Sequence, residues 1–263
     1  MRDYSFLSRF RNLISVISNI MFSFFFLRKK VINVITGADT THYRSLLQLI
    51  NSLKIIEKVN FNLIVYDLGF TNDELIFFKY LHPELLIKKF DFNNFPQYYN
   101  IKLNSGNYAW KPAIINIEYN LLSRGSYVLW LDAGCFVHKP LFLVKAAIYF
   151  RGFYSPFSGP KIKELTYSFT IKEMGLTNHE NKKMLSGGVL GLKVGIEKNN
   201  ILVNKWLNAS NDINLIAPLG SNRDNHRQDQ SLLSLLYYDI YNIRKAPLLS
   251  HKWLEIAAHK DIG

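Results

Sequence analysis

The sequence has a single cysteine, Cys135, among 263 residues, so it cannot form an intrachain disulfide. A reducing compartment is the simpler setting for such a chain. Cys135 lies in the apolar stretch LWLDAGCFV, where an inert buried thiol is expected rather than a nucleophile. No GxxxxGK[ST] run is present, which excludes a P-loop. Paired zinc-finger cysteines and an RNP-type aromatic motif are also missing, and the basic residues are scattered; no nucleic-acid partner is expected. Acidic residues are few, 20 against 32 Lys and Arg, for a net charge of +12. With nucleic acid set aside, that excess fits an anionic membrane surface or phosphorylated substrates. Internal repeats and interdomain linkers are absent, so the chain supports one substantial core.

The apolar runs are short as well. Residues 13–27, LISVISNIMFSFFFL, form the longest N-terminal run, 15 residues interrupted by Ser15, Ser18, Asn19 and Ser23. A membrane-spanning helix needs roughly 20 mostly apolar residues. No small-residue cleavage site follows, which argues against a secretory signal peptide. Arg9, Arg11, Arg28, Lys29 and Lys30 flank the run on both sides. The pattern predicts that residues 1–30 form a basic, apolar helix lying in an interface, peripheral on the cytoplasmic face of a membrane. An ordinary helix packed on the domain and a type II anchor are the alternatives.

Beyond residue 30, strands alternate with helices. Strands are predicted at 31–36, 61–66, 85–90 and 127–131, and strand-like sequence at 184–194. Helices are predicted at 42–56, 71–80, 110–122, 199–208 and 229–238, with Thr71 and Glu74 forming a capping box. The alternation implies βαβ units: a single α/β domain over 31–263, Rossmann-like, with a mostly parallel central sheet. Residues 151–184, rich in Gly, Pro, Ser and Lys with weak periodicity, read as a substrate-facing excursion.

In such sheets ligands bind beyond the carboxyl ends of the strands. Asp39, in the loop Thr36-Gly37-Ala38-Asp39-Thr40-Thr41-His42-Tyr43, follows the first strand; it can pair with a base or ribose, or simply cap a helix. Asp132 follows YVLWL and is placed to hold a divalent cation against a diphosphate, or to bond its own turn. Lys111 at a helix start can reach a phosphate. Ser186-Gly187-Gly188 enters a strand with a backbone suited to close approach. Asp229 and Gln230 open an apolar helix, where Asp229 can bind or deprotonate an acceptor hydroxyl or stabilise the helix start.

The order and spacing of these elements resemble the GT-A-fold glycosyltransferases, in particular the glycogenin-like and lipopolysaccharide galactosyltransferase-like group, over residues 31–240. Ala38-Asp39 through Tyr43, Lys111, the strand VLWLDAG, Ser186-Gly187-Gly188, Trp206 and Asp229-Gln230 carry the likeness. It implies transfer of a hexose from a nucleoside-diphosphate sugar, UDP first among them, to a hydroxyl of a glycan or lipid-linked acceptor. Thr36, Asp39, Tyr43, Lys111, Asp132, Ser186, Gly187 and Gly188 would bind the donor, and Asp229 and Gln230 would flank the reacting carbon. The family's metal motif has two aspartates; here Gly134 replaces the second. A Mn or Mg ion would then rest on Asp132 and a late histidine. His251 and His259 both qualify; His259 is preferred because Ile256, Ala257 and Ala258 would bring it off a packed segment. Two other readings stay open: a metal-free site in which Lys or Arg neutralises the diphosphate, and a catalytically inactive sugar-binding protein of the same fold. A nucleotidyltransferase is disfavoured because GADTTHY has no basic residue before Arg44.

Overall fold

A computed structural model describes residues 26–58, 60–241 and 255–262. The proposed N-terminal interfacial helix therefore lies outside the described residues, apart from positions 26–30, and so do His251 and Lys252. No helix among the described residues is long and apolar enough to cross a membrane.

Strands β1 (Ile32–Ala38), β2 (Phe61–Asp67), β3 (Leu86–Lys89), β4 (Tyr127–Leu131), β6 (Phe153–Tyr154) and β9 (Val189–Lys193) form the central sheet, in the order β3-β2-β1-β4-β9-β6. The β1–β2, β2–β3 and β1–β4 pairings are parallel, while β9 runs antiparallel to β4 and β6. The α/β expectation holds. The correction falls on 184–194, which is broken by Ser186-Gly187-Gly188 into β8 (Lys183–Leu185) and β9. Strand β8 pairs instead with β7 (Phe157–Lys161) in a small separate sheet.

Period-two alternation explains why β4 is apolar throughout. Tyr127, Leu129 and Leu131 join the core that includes Leu46, Leu49, Ile50 and Leu53 of α1 (Tyr43–Glu57) and Val144 and Ile148 of α4 (Phe142–Arg151). Val128 and Trp130 face the other core, with α3 (Trp110–Leu121), α5 (Glu197–Ser210) and α6 (Gln228–Tyr241). Both faces are covered, which a parallel strand requires. Helix α2 (Asn72–Leu81) starts at the expected capping box, with Thr71 accepting from the Glu74 amide and Glu74 accepting from the Thr71 amide.

Helix α4 was not expected from the sequence. A buried ion pair fixes it to α1: Lys145 Nζ lies 2.6 Å from Glu57 Oε2, and Glu57 Oε1 accepts from the Leu141 amide at 2.5 Å. The C-terminal segment then returns across the molecule. Its strand β10 (Ile256–Ala257) pairs antiparallel with β5 (Phe136–Val137). Glu255 accepts from the Leu143 and Val144 amides at the start of α4. The chain thus delivers residues 258–262 to the loop that follows β4.

Candidate active site

Strand order reverses around β1, whose neighbours are β2 on one side and β4 on the other. The loops leaving β1 and β4 diverge there and leave a crevice. Two adjoining cavities occupy it, of about 590 Å³ and about 520 Å³, each in the range of small-ligand pockets. The smaller one is lined by Gly37 and Ala38 at the end of β1, by Asp39 and His42 just after it, and by Gly134 and Asp261. The larger one is lined by Lys111, Ser186, Gly187, Asp229, Gln230 and Arg227. Asp132, Gly188, Tyr108, Arg223, Ala258 and His259 line both. Asp132 therefore stands at the junction.

Lys111 is the centre of the charge arrangement. Its side chain is 3% exposed and lies 2.9 Å from Asp132 Oδ1 and 3.1 Å from Asp229 Oδ2, while donating to the Gly187 carbonyl at 3.2 Å. Burial works against its charge, but Asp132 and then Asp229 outweigh it, so the ammonium is held charged well above its usual range. Burial dominates at Asp229 and pushes its carboxyl up, with Lys111 opposing and Asp132 adding to the rise. The two directions are compatible, because one cation serves two carboxylates: the lysine is fully paired and Asp229 is not. Asp132 is 40% exposed, so the surplus negative charge opens to the cleft.

Indole donors fix both carboxylate-bearing residues. Trp130 Nε1 donates to Asp132 Oδ1 at 2.7 Å, and Trp206 Nε1 donates to the Asp229 carbonyl at 2.9 Å. The glycines have a physical reason as well. A Cβ on Gly188 would lie 3.0 Å from Asp132 Oδ2, and one on Gly187 would lie 3.0 Å from Gln230 Cβ and 3.4 Å from Asp229 Oδ2. Gln230 in turn donates to the Leu185 carbonyl at 2.7 Å, which locks α6 against the strand entry.

On the side of β1, Asp39 caps a short 3₁₀ turn. Its Oδ1 receives Thr41 Oγ1 at 2.7 Å and both the amide and Nδ1 of His42. Partial burial raises the Asp39 carboxyl, but His42 and Thr41 outweigh it and the net direction is down. The bond to Asp39 raises His42, against desolvation, with Asp261 and Asp132 adding smaller pulls. Thr36 and Tyr43 do not line either cavity. Thr36 is fully buried in β1, and the Tyr43 hydroxyl donates to the Glu74 carbonyl at 3.0 Å. The other expected residues are brought together as described. The Cys135 thiol is buried and pushed up by that burial, in line with an inert role.

Three contributors were not expected from the sequence. Residues 104–108 form a left-handed turn, with φ of 48°, 54°, 61°, 47° and 56° at Asn104, Ser105, Gly106, Asn107 and Tyr108. Left-handed helical backbone costs roughly 1–2 kcal/mol per non-glycine residue. The turn is held by Trp110 Nε1 donating to the Ser105 carbonyl and Asn107 donating to the Tyr98 carbonyl. It places the Tyr108 ring 5.8 Å from Lys111 Nζ and 4.6 Å from the Arg223 guanidinium. Arg223 and Arg227 come from the polar loop before α6 and add positive charge to the larger cavity. The third contributor is Asp261. The cluster Ser-Gly-Asn before Tyr108 was the one local signal for the turn; the arginines and Asp261 arrive from far along the chain.

No family model matches the chain, and no curated protein matches it. Solved structures do. The apo structure of the bifunctional glycosyltransferase WbbM matches with a TM-score of 0.55 at 12% identity, over 80% of this chain. Galactosyltransferase LgtC in complex with donor and acceptor sugar analogs matches with a TM-score of 0.50 at 15% identity, over 78% of this chain and 70% of its own. The chain has the fold of the GT-A glycosyltransferases. It spans 38% of the length of WbbM.

Asp132 is the half-exposed carboxylate at the junction of the two cavities, and so the first residue to weigh as a metal ligand. Among the described residues, no three His, Cys, Asp or Glu side chains converge closely enough to cage one. Two features of the site nonetheless fit a hard cation that shares its shell with a diphosphate. Asp132 presents Oδ2 toward the Cβ space of Gly188, its other oxygen being held by Trp130 and Lys111. The Cβ space of Gly134 is also filled by a carboxylate, that of Asp261.

Proposed function

We propose that this chain is a glycosyltransferase that moves a hexose from a nucleoside-diphosphate sugar, with UDP as the first candidate nucleotide, to a hydroxyl of a glycan or lipid-linked acceptor. The observation that carries this reading is the pair of joined cavities with Asp132 at their junction and Lys111 buried behind it. Two compartments suit a donor with two ends. The nucleoside would lie by Asp39 and the loop after β1, the sugar over Ser186-Gly187-Gly188, and the diphosphate between them.

The chemistry asked of the protein is orientation and stabilisation of the departing diphosphate. Arg223 and Arg227 line the cavity into which negative charge would develop. Lys111 holds Asp229 and Gly187 in place, so the surfaces beneath the sugar are set before the donor arrives. Asp229 and Gln230 would then face the reacting carbon. A Mn or Mg ion, when bound, would neutralise diphosphate oxygens from Asp132 and His259. The basic N-terminal sequence and the net charge of +12 support work at an anionic membrane surface, on the cytoplasmic side. Deleting residues 1–30 should then reduce binding to vesicles containing anionic lipid; unchanged binding would remove this part of the proposal.

Donor hydrolysis tests the activity. The chain would be incubated with UDP-, GDP- and CDP-hexoses, with manganese or with EDTA, beside Asp132→Asn. Release of one nucleoside diphosphate, lost in the variant, supports the transferase. Nucleotide binding without release from any donor would favour the inactive sugar-binding reading.

A further inference from the structure

The cradle at Gly134 carries an inference that rests on the proposed donor site and deepens it. A Cβ built on Gly134 would lie 2.3 Å and 2.5 Å from the two carboxylate oxygens of Asp261, and 2.6 Å from its Cγ. Those are not contact distances between separate groups. They mean that the Asp261 carboxylate occupies the volume that a side chain at 134 would fill. A side chain at 134 would have to displace that carboxylate.

The placement is held from both sides of Asp261. The Lys260 amide donates to the Gly134 carbonyl at 2.7 Å. The Ile262 amide donates to Ser45 Oγ at 3.0 Å, on α1. Upstream, β10 pairs with β5 and the Glu255 carboxylate is bound by the amides that open α4. Asp261 lines the same cavity as Asp132, and both carboxylates act on His42 and on Cys135. The fold thus brings a second carboxylate to the loop after β4 from 127 residues downstream of Gly134.

We propose that Asp261 supplies the carboxylate that position 134 lacks, and that it joins Asp132 in holding a divalent cation against the donor diphosphate. In this arrangement the pair of acidic groups is split between the strand end and the C-terminal segment. Cation binding and docking of residues 255–262 are therefore coupled: the cation draws the segment in, and a docked segment completes the cation site. Two carboxylates, diphosphate and water, with His259 lining the same cavities, make an oxygen-rich set that suits Mg and Mn.

Manganese affinity, read as loss of the free Mn²⁺ paramagnetic resonance signal, tests this directly. It would be measured with MnCl₂ alone and with whichever of UDP, GDP and CDP binds best by calorimetry. Asp261→Asn keeps the shape and removes the charge; it should weaken Mn²⁺ binding by about tenfold or more, with an unchanged circular dichroism spectrum. The paired variant Gly134→Asp with Asp261→Gly moves the carboxylate back to the strand end and should restore binding. Unchanged Mn²⁺ affinity in Asp261→Asn would overturn the proposal, as would a wild-type chain that binds no Mn²⁺. Nucleotide binding and donor hydrolysis in EDTA report separately on the transferase reading, which survives either of those failures.

Discussion

Two buried lysines sit on opposite faces of the same sheet, and they serve different ends. Lys145 faces one carboxylate, Glu57, whose second oxygen takes the Leu141 amide; the lysine and the glutamate are 1% and 4% exposed. That cluster is balanced and sealed. Lys111 faces two carboxylates, one of them 40% exposed to a cleft, and a backbone carbonyl besides. That cluster is unbalanced and open. A protein gains nothing in stability from leaving Asp229 underpaired in its interior. The cost makes sense where a ligand with its own charges and hydroxyls completes the set.

Substitutions at the two lysines should separate these roles most sharply. Lys111→Met should lower donor turnover by roughly a hundredfold or more, because it frees two carboxylates to repel the diphosphate. Lys145→Met should leave turnover per folded molecule near wild type while costing about 3–5 kcal/mol in denaturant unfolding, the price of an unpaired buried Glu57. If Lys145→Met impaired turnover as strongly as Lys111→Met at equal folded fraction, the contrast would collapse. Next in size is Gly188→Ala. Its new methyl would press on Asp132 Oδ2, and turnover should fall roughly tenfold to a hundredfold with little change in melting temperature.

The smaller effects concern the C-terminal segment that links the two regions. The Glu255 carboxyl is pushed up to about 7 from 4.5, mainly by burial, against the Leu143 and Val144 amides and with Glu57 adding to the rise. The folded chain then holds this proton more tightly than the unfolded chain. Its stabilising contribution is complete below pH 4.5 and is lost as pH rises through about 7. Glu255→Gln should flatten the dependence of melting temperature on pH in that window; an unchanged slope would reject the assignment. Ser45→Ala, which removes the hydroxyl bound to the Ile262 amide, should cost about 1 kcal/mol or less by the same measurement.

The sequence made the two regions unequally legible. Strands β1, β2 and β4 and helices α1, α2 and α3 follow from local rules: alternating apolar residues, helical spacing and the Thr71 capping box. Asp39, Lys111, Asp132 and Asp229 could be picked out because strand ends and helix starts mark them. Tyr43 carried the family resemblance, yet its ring packs on Phe70 in the core. Helix α4 was missed because FLVKAAIYFR, without a polar cap, reads as one more apolar run. The Lys145–Glu57 pair, the arginines of the loop before α6 and the Asp261 contact depend on residues far apart in the chain, and no local pattern encodes such a meeting. Gly134 shows the limit well. As sequence it is a missing aspartate; in the fold it is the space another aspartate occupies.

The central claim is that one donor lies across both cavities with its diphosphate at Asp132. A crystal structure of residues 31–263 soaked with a UDP-2-fluoro-hexose tests it most directly. The nucleoside is expected beside Asp39, the diphosphate between Asp132 and Arg223, and the sugar over Gly187 and Gly188. A donor bound elsewhere, or bound with its diphosphate away from Asp132, would contradict it.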